Sequence, residues 1–226
     1  MTADNTTPTY VLRYFDIIGL AETSRMLLTA AKVEWTEEHP EWPQEKPNQP
    51  FGHLPVLVEK SGAEDEEDFV LSESGSIERY LARKFNFVPT DNKQMARHEQ
   101  LRDQHLDAII AFFAQLSLVD EAKKEKREDF DAMLDKVIEI HTALIRKNDD
   151  CGYLFGEELT FADMSAYAFY KLLVMYAVTF EADVAPFVKD KITPEVLNLL
   201  RTVESDPLLH EHVEKKGSFV AHVLTE

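Results

Sequence analysis

The sequence predicts an α/β plus all-α protein, with a small α/β unit over residues 1–89 and a larger all-helical unit over 94–226. Three observations carry this expectation. Short β-forming runs share the first third of the chain with two amphipathic helical stretches. A break marked by Pro89 then interrupts the pattern. From Gln94 onward helical periodicity runs almost without a gap.

Taken in order, residues 10–14 are rich in β-formers and run into a turn at 16–19. Leu20, Ser24, Leu27, Leu28 and Ala31 then recur at helical spacing. The stretch 40–50 carries several prolines and cannot form one continuous helix, because proline lacks the N–H that an interior turn needs. Residues 55–59 and 69–71 read as strands joined by an acidic hairpin at 62–68. Residues 74–85 return to helix, with Ile77, Leu81 and Phe85 on one stripe. The expected order is strand, helix, irregular segment, strand, strand, helix. Beyond it the helical pattern breaks only near 148–152 and 179–194.

Hydrophobic residues make up 44% of the 226, enough to bury a core. The formal net charge of −18 argues against a nucleic-acid or anionic-membrane binder, since phosphate contacts need clustered Lys and Arg. A single cysteine, Cys151, excludes an intrachain disulfide framework and a multi-cysteine metal site. Residues 1–9 are short and polar, and no segment reaches the roughly 20 apolar residues needed to cross a bilayer. Together these features lead us to expect a cytoplasmic protein that needs no metal.

Three short motifs could carry chemistry. Tyr14 closes the first strand just ahead of a helix, where open α/β sheets bind ligands. A phenol there can donate to an anion, or can simply pack a half-buried strand. Pro55 opens a strand, where it withholds no ladder hydrogen bond. A cis bond before it would turn the backbone of Leu54 outward to pair with an extended peptide; a trans bond would make it an ordinary strand start. Ser74 begins a helix after Glu73, and either caps it or, with the backbone N–H groups, holds a ligand carboxylate.

In order and spacing these motifs resemble the soluble glutathione transferase family, and within it the sigma-like, tyrosine-type branch that includes glutathione-dependent prostaglandin D synthases. The matching residues are Tyr14-Phe15, Gly19 and Ala21-Glu22, then Trp42-Pro43 with Lys46, then Pro50-Phe51-Gly52 with Leu54-Pro55. Glu73-Ser74, Ile77, Arg79-Tyr80-Leu81 and the run His105-Leu106-Asp107-Ala108-Ile109 follow. The resemblance implies a thioredoxin-like N-terminal domain, a helical C-terminal domain and a homodimer, with glutathione as co-substrate. It gives Tyr14 the role of donor to the glutathione sulfur. Trp42 and Lys46 would hold the glycyl end, and the Leu54 backbone, ahead of a cis Pro55, the cysteinyl portion. Glu73 and Ser74 would grip the γ-glutamyl end, helped by Asp107 of the partner subunit. A Thr160/Asp163 capping box is implied as a folding element.

Three positions depart from the branch pattern. Leu20 stands where many relatives carry arginine, so a cation near the sulfur is missing. His53 replaces a commoner Lys or Gln and can still meet the glycyl carboxylate, and Glu73 replaces Gln and could attract the γ-glutamyl ammonium. The implied reaction is attack of the thiolate on small hydrophobic electrophiles, in a pocket of Phe15, Ile17, Leu20, Phe112, Tyr167 and Tyr170. Phe112, Tyr167 and Tyr170 fit plain helix core as well. Isomerase or peroxidase chemistry could use the same thiolate. The alternative is a glutathione-binding structural or regulatory protein of the same fold with little turnover. Cys151 and the mixed-charge run 123–127 read as structural and as a solvated helix end.

Overall fold

The computed structural model describes residues 9–62, 67–116, 120–180 and 184–221. The chain divides into two compact units between Asn86 and Phe87. The division falls ahead of Pro89 because Phe87 and Val88 are buried, and the Phe161 N–H donates to the Phe87 carbonyl at 2.8 Å. Most of the acidic hairpin tip, 63–66, lies outside the described residues.

The first unit is built on four strands, β1 (Thr9–Arg13), β2 (Trp35–Glu38), β3 (Val56–Lys60) and β4 (Phe69–Ser72), in the order β2-β1-β3-β4. β1 runs parallel to β2 and antiparallel to β3, which is antiparallel to β4. Along β1, Tyr10 and Leu12 point inward between half-buried neighbours, the two-residue alternation of a strand. A 3-10 turn (Gly19–Ala21) leads into α1 (Glu22–Ala30), and α2 (Ser74–Lys84) follows β4.

β2 is absent from the expectation. Its sequence, Trp-Thr-Glu-Glu, alternates between half-buried and exposed and carries two carboxylates. Only β1 pairs with it, so little of its pattern is apolar. Ser74 does not cap α2 either: the N-cap position falls on Glu73, and no side chain caps it.

The second unit comprises α3 (Asn92–Leu116), α4 (Asp120–Lys147), α5 (Phe161–Phe180), α6 (Val184–Lys191), α7 (Pro194–Ser205) and α8 (His210–Lys216). α6 occupies half of the segment 179–194, where a gap is expected. α5 is its central rod: every residue from Phe161 to Val174 is buried. At its start the carboxylate half of the capping box forms, Asp163 Oδ2 accepting from Thr160 N at 2.9 Å and from Thr160 Oγ1 at 2.6 Å. Asp163 Oδ1 also accepts from Leu154 N at 2.7 Å, tying the preceding loop to the helix.

A chain of polar side chains runs through this apolar core. His105 Nδ1 meets Ser165 Oγ at 2.8 Å, His105 Nε2 meets His141 Nε2 at 3.0 Å, and His141 Nδ1 meets Tyr170 Oη at 2.9 Å. Burial is affordable because each ring nitrogen has a partner. Among the described residues no helix is long and apolar enough to cross a membrane.

Candidate active site

Sheet register gathers the expected residues at one edge. Arg13 at the end of β1 pairs with Val56 at the start of β3, and Val56 pairs with Ser72 at the end of β4. Tyr14, Pro55 and Glu73 are each one residue beyond that line, so three separate sequence motifs meet at the carboxyl end of β1. The Leu54–Pro55 bond is cis, as is Trp42–Pro43.

Tyr14 is anchored along its length. Its N–H donates to the Glu38 carbonyl at 3.0 Å, and its carbonyl faces His39 Nδ1 at 3.0 Å. Its hydroxyl accepts from the Leu20 N–H at 2.9 Å. That bond uses an oxygen lone pair and leaves the phenolic hydrogen free to donate elsewhere. Burial pushes the Tyr14 hydroxyl above its ordinary value, while the Leu20 N–H and the Arg25 charge pull the other way. The net direction keeps the phenol protonated, and hence a donor, at neutral pH.

Gly19 makes this arrangement possible. Its φ is +46°, and a Cβ there would stand 2.3 Å from Tyr14 Oη and 2.6 Å from Cε1. Only glycine permits both the backbone and the close approach of the ring.

The remaining residues of the first unit form two clusters. In one, the Tyr14 and Phe15 rings meet edge-on at 5.4 Å, the Phe15 and Trp42 rings at 5.5 Å, and Lys46 Nζ lies 5.9 Å from the Trp42 ring centre. Ile17 is 56% exposed on the same turn, with Phe15 and Leu20 half-buried, leaving apolar surface beside the phenol. In the other, His53 Nδ1 lies 3.9 Å from Glu73 Oε1, both side chains being exposed. Glu73 holds φ +73° and ψ 116°, a backbone state that non-glycine residues adopt at a cost of about 1–3 kcal/mol. Strain of this kind collects where chains grip ligands. Ser74, directly after it, is buried as the first residue of α2.

The second unit sorts its expected residues differently. Phe112 and Tyr170 have no exposed surface and Tyr167 has 1%. The Tyr170 hydroxyl bonds to His141 and the Tyr167 hydroxyl donates to Glu204 at 2.7 Å. These three residues are core, whereas of the expected pocket residues Phe15, Ile17 and Leu20 keep apolar surface. Asp107 is exposed on α3, one turn from the 58% exposed Ile110. Cys151 bonds with Asn148 Nδ2 at 2.9 Å and donates to the Gly156 carbonyl at 3.1 Å, clasping its loop.

Sequence reasoning passed over two contributors, His39 and Arg25. His39 carried no signal. Arg25 did: it follows Glu22 by three residues on a helix whose flanks are apolar.

A thioredoxin-like four-stranded sheet with a buried, amide-held tyrosine just past the end of its first strand, followed by a helical unit, defines the class of fold. The profile of the glutathione S-transferase N-terminal domain matches residues 10–83, and that of the C-terminal domain matches residues 80–216. The chain belongs to the glutathione S-transferase family. It is 30% identical to glutathione S-transferase 3 of Caenorhabditis elegans, over 91% of this chain and 89% of that one. It is 27% identical to the hematopoietic prostaglandin D synthase of Gallus gallus, over 92% and 97%. The crystal structure of Na-GST-3 from Necator americanus, described as monomeric, is 28% identical and superposes with a TM-score of 0.71 over 92% and 97%.

Proposed function

We propose that the protein conjugates the thiolate of glutathione to small hydrophobic electrophiles, with Tyr14 donating its hydroxyl to the sulfur. The observation that carries this is the Tyr14 hydroxyl itself, held by the Leu20 amide with its own hydrogen available. A thiol of pKa about 8.5 is only about 3% ionised at pH 7. Lowering that value by about two units takes about 2.7 kcal/mol of preference for the anion. One hydrogen bond to a charged group contributes about 1.5–3 kcal/mol. A single well-aimed phenol therefore supplies most of the activation, even with Leu20 in place of a cation.

Trp42 and Lys46 bind the glycyl end, aided by His53. The Leu54 backbone pairs with the cysteinyl portion ahead of Pro55, and Glu73 and Ser74 take the γ-glutamyl end. The electrophile rests on Phe15, Ile17 and Leu20, in a cytoplasmic homodimer whose partner subunit's Asp107 completes the site. The exposed Asp107–Ile110 face of α3 supports that assembly. Because one relative is described as monomeric, assembly is tested separately: a fully active monomer in sedimentation at micromolar concentration would refute the shared site.

Turnover of a generic aryl halide by the parent and by Tyr14→Phe, across pH, tests the mechanism. The variant is expected to lose most activity near neutral pH and to recover as pH rises and the thiol ionises unaided. A variant matching the parent would sink the role of Tyr14. A parent that is retained on immobilised glutathione and never turns over would instead favour a binding protein.

A further inference from the structure

Behind the tyrosine lies a buried cation that the proposed reaction does not use. Arg25 of α1 is 1% exposed. Its guanidinium carries five N–H donors in a rigid fork, and five contacts meet them. Nη1 donates to the Ile18 carbonyl at 2.8 Å and to Glu22 Oε2 at 3.1 Å. Nη2 donates to the Phe15 carbonyl at 3.3 Å and to Glu37 Oε1, and Nε donates to the same Glu37 oxygen at 2.7 Å. One side chain thus joins α1, the edge strand β2 and both ends of the turn that follows Tyr14.

We infer that Arg25 is a positioning residue for the Tyr14 hydroxyl, acting through the turn from Phe15 to Leu20. The Phe15 and Ile18 carbonyls it holds bracket a tight turn closed by Ile17 N donating to Phe15 O at 2.7 Å. Two residues beyond Ile18, the Leu20 amide reaches Tyr14 Oη. Fixing the two carbonyls fixes where that amide points, and so where the phenolic hydrogen points. The guanidinium carbon also lies 5.7 Å from the Tyr14 ring centre, a cation against the ring's electron-rich face. The two carboxylates offset the charge without lending the fork's geometry to anything else. Lysine would keep the charge but has three donors on a point cation, too few to hold two carbonyls and two carboxylates together.

This inference rests on the proposed role of Tyr14, and the test separates the two. The ionisation midpoint of bound glutathione is read from thiolate ultraviolet absorbance against pH, with no electrophile present. Parent against Tyr14→Phe tests the role of the phenol. Parent against Arg25→Lys tests positioning, with folding checked by circular dichroism and glutathione affinity measured alongside.

Arg25→Lys is expected to raise the midpoint by about one unit, which from a midpoint of about 6.5 cuts the thiolate at pH 7 about threefold. Affinity should stay near that of the parent, since none of the proposed glutathione contacts is touched. Adding Arg25→Lys to Tyr14→Phe is expected to shift the midpoint no further. A folded Arg25→Lys protein with the parent's midpoint overturns the inference, as does a further shift in the double variant. If Tyr14→Phe leaves the midpoint unmoved, the role of the phenol fails and positioning of it fails too. Should Arg25→Lys not fold, Glu37→Ala removes the acceptor of two donors and leaves both carbonyl contacts. A raised midpoint, by a smaller margin, is then expected, and an unchanged one overturns the inference.

Discussion

Tyr14 owes its geometry to its neighbours, and Gly19 is the one whose replacement is easiest to foresee. A methyl at Gly19 would overlap the Tyr14 hydroxyl at 2.3 Å, and the backbone φ of +46° adds strain of about 1–2 kcal/mol for any other residue. The ring must swing away or the turn must open, and in both cases the phenol leaves the position from which it would donate to the proposed thiolate. Gly19→Ala is therefore expected to lose activity at neutral pH by a factor similar to Tyr14→Phe, of order tenfold to a hundredfold. A kcat/KM equal to the parent's would contradict the packing argument. Tyr14 was legible in the sequence because strand ends announce themselves. Arg25 left only its three-residue spacing from Glu22, too faint to read, since a charged residue on an amphipathic helix ordinarily faces water, whereas residues 21–28 are all buried.

At the scale of elements, what the sequence revealed tracks how much apolar surface each segment buries. β1, β3, α2 and α5 show strong patterns and sit near their expected places. β2 and α6 escaped, the first because half its residues face solvent, the second because a proline-bearing segment resembles a loop. The capping box of α5 was legible because its spacing is fixed by the first turn of a helix. Its structural weight can be measured. Asp163 is fully buried and accepts from two backbone amides and one hydroxyl, so Asp163→Ala leaves buried donors without a partner. Losing a cap costs about 1 kcal/mol, and the one orphaned donor whose bond is fully buried, the Leu154 amide, adds about 1–3 kcal/mol. A destabilisation of about 2–4 kcal/mol is expected from denaturant unfolding. Asp163→Asn, which keeps a carbonyl oxygen, should lose less. An Ala variant within 0.5 kcal/mol of the parent, inside the ordinary spread of surface substitutions, would mean the loop is held by other contacts.

For the whole molecule, pH sets two tendencies against each other. Acidification toward the sequence pI of about 4.8 removes the net charge of −18 and its self-repulsion, which favours the compact state. The helical unit pulls the other way. Burial holds His141 down to about 3 and His98 at about 4, and burial with the neighbouring His141 and Arg102 charges holds His105 well below its usual range. A histidine with a depressed folded value is neutral in the fold and charged in the unfolded chain. Its stabilisation is complete above pH 6.5 and is withdrawn as pH falls toward the folded value. Asp163, pushed up to about 6 by burial, works in the opposite sense, since the fold takes up its proton first. Near pH 5 the unfolded chain thus binds about two more protons at these four groups than the folded one, a loss of about 3 kcal/mol per pH unit. Denaturant unfolding between pH 7 and 4 should show stability falling with that slope. His141→Leu should flatten it by about one proton even where it lowers stability at neutral pH, because it removes a titration as well as two hydrogen bonds. A parent whose stability rises steadily toward pH 4.8 would show that charge repulsion, and not the buried histidines, governs the acid limb.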